Sequence, residues 1–193
     1  MKEIIKLGLI LLVICLIAAV SLAYTNGATA TRIEEQKAIK SEQARKDVLP
    51  TADTFELMDT SDMKTVKSST GIDVVVVEVY KGLSGSEIAG YVVKTLPQGY
   101  GGGLEVVTGI DLDGAIVGVR VGKHTETPGL GANATLEAYY SQYDGKQATG
   151  ITVNKTQSSD TEVQAIAGAT ITSKAVTYGV DASGNLVESL KSK

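Results

Sequence analysis

The sequence predicts an α+β protein with an N-terminal transmembrane helix, and three stretches carry that prediction. An uncharged apolar run, LGLILLVICLIAAVSLA at 7–23, follows a short basic flank. Between residues 72 and 122, segments dense in Val, Ile and Thr alternate with glycine-containing turns, the pattern of short strands. Near the other end, the small residues 167–169 lead into hydroxyls at Thr170, Thr172 and Ser173 and then into an apolar-periodic segment, the order of a bare loop entering a helix.

Size and charge narrow the classes. A chain of 193 residues holds one ordinary domain plus an appendage. The formal net charge is −4 and the pI is near 5.1. No cluster of Lys and Arg is interleaved with aromatics, so nucleic acid is not an expected partner. Cys15 is the only cysteine and lies inside the apolar run, which leaves no intrachain disulfide, Cys-cluster metal site or iron–sulfur centre. Leu12, Val13 and Ile14 precede it where a lipoprotein signal wants small residues, so Cys15 reads as a packing residue in lipid.

As a helix, residues 7–23 would extend about 26 Å, close to the roughly 30 Å hydrocarbon core of a bilayer. Lys2 and Lys6 hold the flank in the cytoplasm, and Tyr24 follows at an interfacial position. The competing reading is a cleaved secretion signal ending at Ser21-Leu22-Ala23. The apolar run is at the long end for such a signal, which favours a retained anchor. Either way the remaining chain faces outward. The expected organisation is therefore a cytoplasmic N-terminus at 1–6, a membrane anchor at 7–24, a juxtamembrane helix or linker at 25–50 that ends before Pro50, and an extracytoplasmic domain at 51–193.

Within that domain, Thr51–Thr70 reads as loop with a short turn. Ile72–Tyr80 reads as a strand buried on both faces. Turn residues at Gly82–Ser86 join it to a second strand over Glu87–Thr95. Pro97–Gly103 is a glycine-rich crossing, either a plain turn or a place where backbone approaches a ligand. Leu104–Asp111 and Ala115–Gly122 form two more strands about Asp113-Gly114, which completes a four-stranded antiparallel meander. Thr135–Tyr143 has a helical pattern, Ile151–Lys155 is a short strand and Ser158–Val163 a polar turn. A helix over Ser173–Leu190 is weakened by Gly179 and Gly184, with a break expected near Asp181–Gly184.

Two stretches invite a chemical reading. Gly168 permits a positive φ and close approach of a bulky group, and Thr172 or Ser173 can cap the helix start. Free N–H groups and the helix dipole there suit a phosphate, although most such sequences are only caps. The sole histidine, His124, stands two positions before Glu126, an arrangement open to acid–base work, metal ligation or scaffold hydrogen bonding. Scaffold is favoured, because a metal needs three or four donors. No dinucleotide fingerprint, phosphate-binding loop or nucleophile elbow is present, so catalysis by this chain alone is not expected.

Ala167-Gly168-Ala169-Thr170, followed by Ile171-Thr172-Ser173, resembles the flavinylation motif of the FMN-binding domain family. That family includes the G subunit of Rnf electron-transport complexes and the C subunit of the sodium-pumping quinone reductase. Gln164 stands where the motif usually opens with Asp. A second stretch, Tyr100–Gly103 and then His124–Gly131, resembles the G-subunit family as well. The resemblance implies FMN held covalently on Thr170 through a phosphoester, with Gly168, Ala169, Thr172 and Ser173 around it. It also implies that His124, Glu126 and Thr127 contact FMN without a catalytic role. A separate magnesium-dependent flavin transferase using FAD would install the group, and the other subunits of the membrane complex would be partners. The implied role is a redox subunit of a translocase, passing electrons between a low-potential donor such as ferredoxin and NAD or a membrane carrier, coupled to sodium or proton movement. The alternatives are the C subunit of the quinone reductase and a flavin-free binding module of the same fold.

Overall fold

The computed structural model describes residues 2–60, 63–156 and 158–192, without the side chain of Thr31. Met1 of the expected cytoplasmic flank, residues 61 and 62 of the expected loop, Gln157 and Lys193 lie outside the described residues. The chain divides into two compact units, 1–42 and 43–193.

The described residues of the first unit all lie in one helix, α1 (Lys2–Val48). Its most apolar window has a mean hydropathy of 2.8, and among the described residues it is the one helix long and apolar enough to cross a membrane. The expected junction between span and juxtamembrane helix near residue 24 leaves no break in it. Arg45 and Lys46 occupy its last turn, where cations complement the carbonyl end, and Pro50 halts it two residues on.

The second unit is built on an antiparallel sheet. Its strands are β1 (Thr54–Leu57), β2 (Thr65–Lys67), β3 (Asp73–Ser84), β4 (Glu87–Leu96), β5 (Val106–Asp111) and β6 (Ile116–Val121). The order is β1-β3-β4-β5-β6, with β2 also paired to β3, so the expected meander, β3 to β6, makes up all of the sheet but the β1 and β2 edge. β1 and β2 fall where loop was expected. They share one edge of β3, β1 against Tyr80–Leu83 and β2 against Asp73–Val75. β3 is also not buried on both faces: Val74, Val76 and Val79 are buried, whereas Val75 and Val77 face outward.

Beyond β6 the chain forms a 3-10 turn (Gly131–Thr135), a single helical turn α2 (Glu137–Tyr140) and another 3-10 turn (Ser141–Tyr143), in place of one helix. A parallel pair follows, β7 (Thr152–Asn154) with β8 (Glu162–Gln164), the latter beginning inside the expected polar turn. The last element is α3 (Thr170–Lys191).

Each face of the sheet has a different cover. Val76, Val79, Val93, Val106, Ile110 and Val119 meet Val176, Val180, Leu186 and Val187 of α3, together with Tyr139 and Tyr143. α3 runs unbroken through Gly179 and Gly184 because both are contact positions. A Cβ on Gly179 would lie 2.8 Å from Thr95 Oγ1, and one on Gly184 would lie 2.7 Å from the Ala148 carbonyl carbon. Asp181, expected at a break, instead joins α3 to two loops. Its buried carboxylate accepts from Ser69 Oγ at 2.7 Å, from Gly150 N at 2.7 Å and from Ser69 N.

The opposite face is covered by the end of α1 and the residues after it, Val48, Leu49 and Ala52, against Val92 and Val107. Val48 and Leu49, which precede the expected domain start at 51, are fully buried in this second core. Glycines make the room. A Cβ on Gly109 would collide with the Val48 carbonyl oxygen, and one on Gly118 would stand 3.1 Å from Val48 Cα. The Arg45 guanidinium lies over the Tyr80 ring, 4.3 Å from its centroid.

Candidate functional site

The N-terminus of α3 faces a cleft of about 500 Å3 lined by Tyr100, Glu126, Thr127, Leu130, Gly131 and residues 168–172. Parallel pairing of β8 with β7 delivers the chain to this point. Ala165 N donates to Asn154 O at 2.8 Å, and Val163 is fully buried below. Gly168 then takes φ +75°, in the left-handed region where a side chain would be strained, and the helix starts two residues later.

The expected cap is not formed. Ala169 is the N-cap residue, with φ −132° and ψ 44°, and no side chain caps the helix. Thr172 and Ser173, expected to cap, lie inside the first turn and are turned to other partners. Thr172 Oγ1 donates to Glu126 Oε2 at 2.7 Å. Ser173 Oγ accepts from Ile166 N at 2.9 Å and donates to Ala169 O at 3.0 Å. The first intrahelical bond runs from Ser173 N to Ala169 O, so the amides of Thr170, Ile171 and Thr172 precede the ladder. Thr170, the first helical residue, is half-buried on the cleft wall, and among the described residues its hydroxyl has no hydrogen-bond partner.

Glu126 joins the walls. It is 7% exposed, and its Oε1 accepts from Gly101 N at 3.1 Å while Oε2 takes Thr172. Thr125 Oγ1 adds a bond to Gly101 O at 2.7 Å, so the glycine-rich crossing is strapped to the following loop. No Cβ fits on Gly99 or Gly131, because each would collide with a Glu126 carboxylate oxygen. His124 stands behind the wall. Its Nδ1 accepts from Glu126 N at 3.2 Å, which places the proton of a neutral ring on Nε2.

Of the residues singled out from sequence, Gly168, Ala169, Thr170, Thr172, Glu126 and Thr127 line one cleft. His124 and Ser173 support it without lining it. Tyr100, Leu130, Gly131 and Ile171 also line it, and Gly101 braces it through Glu126. All four lie within the stretches that carried the resemblance, the signal that could have marked them. The Gln164 side chain is directed elsewhere, its Nε2 donating to Thr156 O at 3.2 Å. Among the described residues no group of three or more His, Cys, Asp or Glu could hold a metal ion.

This stretch of chain has known counterparts. Residues 99–183 match the family model described as FMN-binding domain, and residues 1–48 match that of the RnfG N-terminal region. The G subunit of the Na(+)-translocating ferredoxin:NAD(+) oxidoreductase complex of Acetobacterium woodii is 44% identical over 195 residues, spanning 98% of this chain and 94% of the relative. The chain belongs to the Rnf G-subunit family. The G subunit of an ion-translocating oxidoreductase complex from Methanosarcina acetivorans is 35% identical over 91% of this chain and 89% of its own. Among solved structures, the C subunit of the Na(+)-translocating NADH-quinone reductase from Parabacteroides distasonis superposes with a TM-score of 0.51 at 22% identity, covering 74% of this chain and 79% of that one. At that identity the likeness is one of fold, and it agrees with the α+β class read from sequence.

Proposed function

We propose that the chain is a single-pass, membrane-anchored electron-carrying subunit of an Rnf-type ion-translocating oxidoreductase. In this reading its folded domain lies outside the cytoplasm and FMN is joined to Thr170 through the flavin phosphate. The observation that carries the reading is the position of Thr170. Its unengaged hydroxyl stands on the cleft wall at the head of a helix with no side-chain cap, inside the segment matched to an FMN-binding domain.

The residues fit such a group. A cleft of about 500 Å3 falls within the usual range for cofactor sites. The amides of 170–172 and the positive end of α3 would hold phosphate oxygens, and the bare backbone at Gly168 and Ala169 lets them approach. Tyr100, Leu130 and Ile171 give the cleft apolar walls, and Thr127 offers a polar edge. When bound, FMN supplies one- and two-electron redox chemistry, while the protein orients it and sets its electronic surroundings.

Thr170 does not attack unaided, since an alkanol needs a base or metal to become a nucleophile. The activation belongs to a separate flavin transferase. With one redox group and no substrate site of its own, the chain relays electrons between other members of the complex. A covalent tether suits a domain that cannot exchange FMN with the cytoplasm.

Intact-mass measurement of the full chain, co-expressed with a flavin transferase, tests the reading. The wild-type protein should gain the mass of FMN less one water and keep its fluorescence after denaturation, and Thr170→Val should express normally without either. A Thr170→Val chain that still carries the flavin would move the attachment elsewhere.

A further inference from the structure

Among the described residues, Glu126 is the only charged one lining the cleft. Its carboxylate is nearly buried and fixed from several sides. Gly101 N and Thr172 Oγ1 donate to its two oxygens, His124 Nδ1 accepts from its amide, and the side-chain-free backbone of Gly99 and Gly131 packs beside the two oxygens. Both partners of its oxygens are donors, the set that an acceptor-only carboxylate takes. So firm a mounting for one acid, in a cleft for an anionic ligand, is more than loop packing requires.

We infer that Glu126 is a potential-setting residue: its fixed negative charge makes the bound flavin harder to reduce. The inference rests on the FMN reading above and deepens it. Adding electrons to the flavin increases negative charge in the cleft, and a carboxylate held in a poorly solvated wall opposes that increase more strongly than one in water. The hydrogen bonds to Gly101 and Thr172 keep the charge at one place. Glu126 thus acts through its field, and its links to two other segments keep that field aligned with the flavin-bearing helix.

The test is a spectroelectrochemical titration of the flavinylated full chain in detergent, comparing wild type with Glu126→Gln and Glu126→Asp. Glu126→Gln keeps the shape and removes the charge. Its two-electron midpoint should rise by at least the roughly 30 mV that equals a tenfold change in equilibrium constant. Glu126→Asp, which restores the charge, should return most of that shift. Equal potentials for wild type and Glu126→Gln at equal flavin content would overturn the inference. A Glu126→Gln chain that folds but takes up no flavin would assign Glu126 to flavin uptake and would also overturn the inference. A wild-type chain that acquires no flavin would instead defeat the functional reading on which the inference stands.

Discussion

Thr172 and Ser173 are neighbours in the first turn of α3, yet their hydroxyls serve different segments. One holds the Glu126 carboxylate and the other holds the loop that leads into the helix. Both read as candidates for a cap because hydroxyls at a helix start commonly serve that purpose. Local sequence does not reveal a competing acceptor 46 residues away in the chain. Thr170, whose hydroxyl has no partner among the described residues, stands on the cleft wall. Thr172→Val should expose the importance of this link. It keeps the shape and strips a donor from a nearly buried carboxylate oxygen, at a cost of about 1–3 kcal/mol. Chemical denaturation of the wild-type and variant chains measures the difference, and a change below about 0.5 kcal/mol, the size of an ordinary surface effect, would show that the bond contributes little.

At the scale of elements, what the sequence reveals and conceals follows from how each segment is stabilised. β4, β5 and β6 are legible because apolar runs are separated by turn residues such as Asp113-Gly114. β1, β2 and β8 are three or four residues long and polar in part, and they exist through pairing with a neighbour. The alternation in β3 is hidden because valine occupies inward and outward positions alike. Gly179 and Gly184 look like weaknesses in α3, since propensity counts the missing side chain and cannot see the strand and loop packed against it. The same reasoning applies where α1 meets the sheet. Gly109→Ala would drive a methyl group into the Val48 carbonyl, and overpacking of this kind costs about 1–3 kcal/mol. Thermal unfolding should show the loss, while a wild-type midpoint would mean that the α1 turn can shift at little cost.

Across the folded unit, the sheet separates two cores of unlike character. The α3 side contains a buried hydroxyl chain. Tyr143 Oη lies 2.7 Å from Thr177 Oγ1 and 3.1 Å from Tyr139 Oη, and the two rings meet edge to face. Burial pushes the pKa of both phenols up, that of Tyr143 well above its usual value near 10. The native state therefore retains these protons at pH values where the unfolded chain has released them. Their contribution is complete below about pH 10 and is lost as pH climbs toward the native values. Unfolding free energy should decline above about pH 10, and Tyr143→Phe should flatten that decline while losing about 1 kcal/mol near neutrality with its hydrogen bonds. Denaturation curves across the alkaline range check both effects, and identical slopes for the two proteins would exclude Tyr143 as a source. The other core depends on bare backbone. Gly109 and Gly118 receive main-chain atoms of Val48. A methyl group at either glycine would therefore meet backbone, a collision that no change of rotamer at position 48 can relieve.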